Sequence, residues 1–465
     1  MDTEYCFVGD GVLDRVQEVF SSEWGCSMRP LIIADGNTWQ VAGPYLQERL
    51  GRRSSGTDDR AVVDAATYLF PAEPMLYADE HAIATVHRLL EGNDLIAIAL
   101  GSGTINDIVK RASYECGKPY VVVATAPSVD GYTSYGAAVS VGGFKQTLPC
   151  PAPLAVFAER RILCEAPSPM IAAGYGDLIA KIPAGADWIV ADALGLQSID
   201  PEIWHMIQPD LKRVVSHPQR LAQRDMTVVG EVFSGLVQTG FAMQRMHDSR
   251  PASGAEHLIS HIWEMEHLAM DGVPVSHGFK VALGTLVSTA MYERLFSMTG
   301  EEVASVSSSA PRQTWDDRRA HVDRWFADRP SYGQVLDICR QKFLEGSDLE
   351  ERRHRIFLVW DVLRKRVLEQ LVPFGTLRGM LAAAGCPVEP ADIGVDRELF
   401  RRALVSSQMI RTRYTILDLL SDLGMFLPTV DALLDVNGYF SVFAKGPGCS
   451  DAGEFPSGSY SVKKT

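Results

Sequence analysis

The chain is predicted to fold as an α/β N-terminal domain followed by an all-α C-terminal domain, with a metal site in the cleft between them. Over residues 5–100, short apolar runs alternate with amphipathic stretches, the pattern of a largely parallel sheet covered by helices. Proline-rich breaks at 149–153 and 166–169 end that alternation, and beyond Met170 the chain reads almost wholly helical. The residues suited to a divalent ion begin just past the second break. We place the boundary near residue 165. This divides the chain into 1–165, 166–445 and a tail, 446–465, whose Gly, Ser and Pro content predicts disorder.

The elements follow in order. Residues 12–20 have helical spacing. Residues 30–35 form a continuous apolar run, the mark of a strand buried on both faces, and it ends at Asp35. A helix over 41–50, a short strand over 67–70, a helix over 80–90 and a second buried strand over 94–100 continue the alternation. That strand runs into Gly101-Ser102-Gly103-Thr104 and a helix over 105–116. Strand, glycine turn and helix N-terminus together receive phosphate, because free N–H groups and the helix dipole favour an anion. Asn106 stands where a third glycine would complete the dinucleotide fingerprint, and a plain structural turn accounts for the same residues. A strand over 119–124 leads into the polar loop 125–134. Ligands of open α/β sheets bind outside the carboxyl ends of strands, so Asp130, Thr133 and Ser134 are candidates to hold nicotinamide or substrate. Turn chemistry explains the same residues. Asp35 is placed to bind a ribose hydroxyl or to cap its own turn. A short strand over 154–157 precedes the boundary. Helices follow over 187–250, 333–372 and 397–424, with a polar linker or mobile excursion at 299–332. The charge run 350–355 reads as a solvated helix face.

The chemistry concentrates in the stretch 253–286. His257 and His261 lie one helical turn apart and face the same way. His277 follows a Gly-Val-Pro break and opens a second apolar run. A catalytic divalent site mixes imidazole with a carboxylate and keeps one position open. Asp177, after a glycine turn and at the start of a helical segment, is the best carboxylate. Asp177, His257 and His277 are therefore read as the metal ligands. His261 serves as a proton relay, a substrate hydroxyl contact or a packing residue. His267 reads as an ordinary solvated or core-edge side chain.

Composition excludes several classes. The formal net charge of −14 argues against a nucleic-acid partner. Eight scattered cysteines without a Cys-x-x-Cys fit reduced thiols, and the acidic start MDTEYCFVGD lacks a signal-peptide core. No run approaches a membrane span. We expect a cytoplasmic homo-oligomer.

The segments LIIADGNT, ALGSGTINDIVK, ATAPSVDGYTS, GYGDLIAK, SGAEHLISH, SHGFKVALGT, LRGMLAAAGCPVEPADIGV and MIRTRYTILDLLSDLG spread over most of the chain. Together they resemble the iron-containing alcohol dehydrogenase and dehydroquinate synthase superfamily, and more closely the sn-glycerol-1-phosphate dehydrogenases. The resemblance implies a dinucleotide-binding N-terminal domain and a divalent metal held by Asp177, His257 and His277. It puts the pyrophosphate loop on Gly101, Ser102, Gly103 and Thr104, with Asp107 just beyond. The nicotinamide-side loop falls on Thr125, Ser128, Asp130 and Ser134, and the adenosine-side acid on Asp35. It implies NAD(H) or NADP(H) as cofactor and zinc as the first-choice metal, with nickel or iron(II) able to use the same ligands. The implied reaction is reversible reduction of dihydroxyacetone phosphate to sn-glycerol 1-phosphate.

The chain departs from relatives in two places. Lys181 stands where iron alcohol dehydrogenases carry a further histidine, and Phe279 replaces a glutamate found in many relatives. Lys181, Lys280, Arg411 and Arg413 are candidate cations for the substrate phosphate. The rival readings are a dehydrogenase of glycerol or another polyol, a dehydroquinate-synthase-like cyclase that recycles NAD, and a non-enzymatic nucleotide-binding scaffold.

Overall fold

A computed structural model describes residues 2–25, 27–51, 65–73, 75–141, 144–435 and 437–441. The expected disordered tail, 446–465, lies outside them. Six strands form one parallel sheet: β1 (Tyr5–Gly9), β2 (Arg29–Asp35), β3 (Ala66–Phe70), β4 (Leu95–Gly101), β5 (Tyr120–Ala124) and β8 (Ala155–Glu159). Their order across the sheet is β1-β8-β5-β4-β2-β3. The helices α1 (Arg15–Trp24), α2 (Gly36–Gly51), α3 (Glu80–Leu90) and α4 (Gly103–Glu115) connect and cover it. An antiparallel hairpin, β6 (Ala137–Val141) with β7 (Phe144–Leu148), stands apart.

Strand residues alternate between the two faces. Ile32, Ile98, Val121 and Phe157 pack one face against Val16, Phe20 and Leu46 of α1 and α2. Ile33, Ala99, Val122 and Val156 point the other way, into a core that continues through α3 and α4 into the helical region. One face of the sheet and the helices therefore share one core. Two elements were not anticipated. Strand β1 is an edge strand, and the sequence reading assigns no element to its short apolar run Tyr5-Cys6-Phe7-Val8. The β6–β7 hairpin lies between the loop 125–134 and the break at 149–153, where the sequence reading assigns no element.

The helical region begins with α5 (Arg160–Glu165), α6 (Ser168–Ile179), α7 (Lys181–Ala193), α8 (Pro201–Val214), α9 (Pro218–Ala222), α10 (Met226–Met246) and α11 (Ala255–Met265). A two-residue ribbon, β9 (Ala269–Met270) with β10 (Val273–Pro274), turns at Asp271 and Gly272, both at positive φ. That backbone twist suits a tight hairpin and explains the Asp-Gly pair. The chain continues through α12 (His277–Phe296), α13 (Gly300–Ser309), α14 (Trp315–Phe326), α15 (Tyr332–Lys342), α16 (Gly346–Gln370), α17 (Phe374–Ala384), α18 (Arg397–Ser407), α19 (Ile416–Asp422) and α20 (Phe426–Leu433).

The stretch 299–332 is not a linker. It holds α13 and α14, each opened by a capping box, Thr299 with Glu302 and Thr314 with Asp317. Val303, Val322 and Phe326 bury the inner sides of these two helices. Among the described residues, no helix is long and apolar enough to cross a membrane.

Candidate active site

Three helices meet where the sequence concentrates its histidines. α6 brings Asp177, α11 brings His257, His261 and Glu264, and α12 opens on His277. Small residues allow the approach. A Cβ on Gly176 would lie 2.7 Å from the Gly278 carbonyl oxygen. One on Gly278 would overlap the Ala173 carbonyl, and one on Gly284 would overlap that of Glu256. Asp177 does not follow a glycine turn or open a helix, as the sequence reading expected. Gly174 and Gly176 lie within α6, and Asp177 occupies its last turn. The glycines serve close helix crossing instead of a turn.

One oxygen or nitrogen from each of Asp177, His257 and His277 lies within 4.8 Å of the others. The rings of His257 and His277 are 5.4 Å apart, and His261 lies 6.2 Å from each. Carboxylates hold the far side of every ring. His257 Nδ1 lies 2.9 Å from Glu256 Oε1, and His277 Nδ1 lies 2.7 Å from Glu264 Oε1. The other Glu264 oxygen takes His261 Nδ1 at 3.0 Å. A carboxylate at Nδ1 fixes the proton there, so each Nε2 lone pair is left to accept a ligand. His257 Nε2 lies 3.5 Å from Asp177 Oδ1. Two imidazoles with free lone pairs and one ionised carboxylate form a donor set that fits a divalent ion.

Asp177 is fully buried. Burial alone would raise its carboxyl, but the Lys181 ammonium and the His257 hydrogen bond hold it well below the usual range. Lys181 Nζ lies 2.7 Å from Asp177 Oδ1 and 2.7 Å from Asp130 Oδ2. Burial would lower this ammonium, and the two carboxylates more than reverse that. The Asp130 N–H donates to Asp177 Oδ2 at 3.0 Å. The loop after β5 is thus tied directly to the cluster. Burial lowers the His261 imidazole to about 4, leaving it neutral at pH 7, although its side chain remains about a third exposed. His267 is exposed, with no place in the cluster.

On the sheet side, β4 ends at Gly101 and Ser102 precedes α4 without a side-chain capping bond, with Gly103, Thr104 and Asp107 in the first two turns of the helix. Asn106 and Lys110, one turn apart on α4, hold the loop 125–134 from beneath. Asn106 Nδ2 donates to the Gly131 carbonyl at 3.3 Å. Lys110 Nζ donates to the carbonyls of Gly131, Ser134 and Gly136 at 2.8–3.1 Å. Thr125 and Ser128 are buried, and the Ser134 hydroxyl donates inward to the Gly131 carbonyl. The Thr133 hydroxyl donates to the Val237 carbonyl on α10. Asp35 Oδ1 accepts from the Asn37 and Thr38 amides at 2.9 and 2.8 Å, so it caps its own turn.

The sequence reading missed Glu256, Glu264, Asn106 and Lys110. Their signal was available only as polar residues on otherwise buried helix faces. Of the four candidate phosphate cations, Lys181 is committed to two carboxylates and Lys280 lies 3.6 Å from Glu264. Arg413 is committed to Asp248 and the Ser253 carbonyl.

Residues 7–167 match the family model described as iron-containing alcohol dehydrogenase. The chain is 32% identical over 395 residues to the glycerol-1-phosphate dehydrogenase (NAD(P)+) of Geobacillus thermodenitrificans, covering 84% of this chain and 86% of that one. It is 34% identical over 349 residues to the enzyme of the same name from Geobacillus stearothermophilus, covering 74% and 76%. The chain belongs to the iron-containing alcohol dehydrogenase superfamily, in its glycerol-1-phosphate dehydrogenase-like family. It is an oxidoreductase of that family. The fold also matches a solved structure of a probable glycerol dehydrogenase from Sinorhizobium meliloti, with TM-score 0.54 and 15% identity over 92% of this chain and 97% of that one. Lys181 sets a buried cation on Asp177.

Proposed function

We propose that the protein is a metal-dependent NAD(P)H oxidoreductase that reversibly reduces dihydroxyacetone phosphate to sn-glycerol 1-phosphate. The observation that carries this reading is the cluster of Asp177, His257 and His277, with both Nδ1 atoms held by carboxylates, in a chain similar to enzymes of that name. Asp177, His257 and His277 would hold the divalent ion, zinc being the first choice. Once bound, the ion supplies Lewis acidity toward a carbonyl oxygen.

The chain's own residues do the rest. Lys181 and the Asp130 amide orient the Asp177 carboxylate and keep it ionised. Glu256 and Glu264 hold the tautomers of the histidines. His261, neutral and partly exposed beside the cluster, passes a proton between the substrate oxygen and solvent. The N-terminus of α4, at Gly101, Ser102, Gly103 and Thr104, receives the cofactor pyrophosphate. The loop holding Thr125, Ser128, Asp130 and Ser134 shapes the nicotinamide side, and Asp35 lies on the adenosine side.

The test follows loss of reduced-nicotinamide absorbance, from NADH and from NADPH, with dihydroxyacetone phosphate and with dihydroxyacetone. Metal-stripped protein refilled with zinc or nickel, and His277→Ala, are run in parallel. Turnover of the phosphorylated ketone, lost on stripping and in the variant, is expected. Turnover of dihydroxyacetone alone would assign a polyol without phosphate. No oxidation with either ketone, despite bound metal and NADH, would overturn the reading.

A further inference from the structure

A cavity of about 900 Å³ lies in the helical region, between α14, α15, α16, α19 and the connecting segment 411–414. Neither the metal cluster nor the glycine loop after β4 lines it. Its wall carries seven arginine or lysine side chains against four aspartates, in a protein whose net charge is −14. Three of those aspartates are already neutralised: Asp418 by Lys342 at 2.6 Å, Asp422 by Arg352 at 3.2 Å and Asp248 by Arg413 at 2.7 Å.

The surplus cations are the informative ones. Arg318 is 5% exposed, and its guanidinium meets the Gln408 side-chain oxygen and the Cys339 thiol, both uncharged. Arg411 donates to the Ile410 carbonyl, and among charged groups it feels the Asp248 carboxylate and acts in turn on His261, so Arg318 is the cation here whose contacts among the described residues include no carboxylate. A guanidinium taken out of water without a counter-charge is costly, and several at one concave wall repel one another. Such a wall is matched by an anion, and guanidinium forks fit phosphate oxygens with paired hydrogen bonds. Apolar side chains, among them Phe343, Leu344, Leu349 and Leu427, line part of the remaining wall beside polar ones such as Gln313, Gln341 and Ser421. Concave sites of this size, mainly apolar with a few convergent charges, hold small organic ligands.

We propose that this cavity is a second small-molecule site, separate from the metal cluster, for a phosphate monoester with an apolar or aromatic body. Arg318 binds the phosphate from the cavity floor, and the leucines and Phe343 cover the organic part. The proposal does not depend on which ketone the enzyme reduces.

The test is calorimetric titration of phenyl phosphate into the metal-loaded protein saturated with NAD+, with phenol as the uncharged control. Arg318→Gln removes the buried cation. Arg312→Glu reverses a charge at the rim, where the side chain is 75% exposed and pairs with the half-exposed Glu350. We expect one phenyl phosphate per chain and none of comparable affinity for phenol. Arg318→Gln should weaken binding about tenfold or more, as loss of a charge-assisted contact does. Arg312→Glu should weaken it a few fold, an effect that salt diminishes. Affinity unchanged in both variants would mean the probe binds elsewhere, and equal binding of phenol would mean no phosphate is recognised. Either result overturns the proposal.

Discussion

Glu264 is the side chain on which the candidate site most depends without belonging to the ligand set. Its two oxygens take the Nδ1 atoms of His277 and His261, so one carboxylate sets two tautomers. Losing a partner of this kind costs about 10–100-fold in metal affinity or activity. Glu264→Gln should therefore weaken zinc binding by about that factor in a chelator competition. Unchanged affinity would show that packing alone orients the rings. His261 separates from the ligands by the same logic. His261→Ala should keep full metal content while kcat falls by about 100-fold, the usual contribution of a positioned proton-transfer group. Loss of metal in that variant would make His261 a ligand. Part of this was readable beforehand: the His-x-x-x-His spacing puts His257 and His261 on one face whatever the fold. Glu264 was not, because its partner His277 is thirteen positions away along the chain and on another helix.

Helices and the loops between them carry the next set of consequences. α6 packs so closely on the loop after β5 that a Cβ on Gly174 would overlap the Pro127 carbonyl. Gly174→Ala should cost about 1–3 kcal/mol through overpacking and also lower activity, since the same contact seats Asp177 beside Asp130. Urea unfolding and turnover measured on one preparation check both, and a stable but inactive variant would isolate the effect on the site. In α14, Thr314 and Asp317 close a capping box. Thr314→Ala should cost about 1 kcal/mol, read as a lower urea midpoint. A neutral result would suit a segment that orders only weakly, which is what its polar composition suggested. That expectation failed for a physical reason. Capping boxes and a few buried positions, Val303, Val322 and Phe326, hold these helices, and a low apolar content conceals so narrow a buried side.

Across the molecule, Asp187 ties distant parts of the chain together. Its carboxylate accepts from the Ala255 amide at the start of α11, the Ile416 amide at the start of α19 and the Tyr292 hydroxyl on α12, at 2.5–2.7 Å. Burial, and then the neighbouring Glu256, push its carboxyl up to about 7. An ordinary aspartate in the unfolded chain titrates near 3.9. Between about pH 4 and 7 the folded state therefore binds the extra proton, and this group's contribution to stability falls as pH rises through that window. Asp187→Asn should lower stability at every pH, because its amide accepts fewer hydrogen bonds. It should also flatten the decline between pH 4 and 7 in a series of urea melts. An undiminished slope would assign the pH dependence to other groups.

The division between what the chain announces and what folding adds follows from the range of each interaction. Strand and helix alternation, the glycine turn after β4 and the helical face shared by His257 and His261 are local periodicities, so order and spacing along the chain suffice to read them. The edge strand β1 and the Asp-Gly ribbon before α12 were also local, but each is only a few residues long. Other features are joined across long stretches of chain and depend on how the elements pack. Asp177 meets His257 and His277 because glycines let α6, α11 and α12 cross closely. Lys181 reaches Asp130 in the loop after β5, Glu264 joins two helices, and arginines from separate helices gather at one cavity wall. No period or spacing encodes these meetings, because each is set by burial and hydrogen bonding between residues that only the packed core makes neighbours.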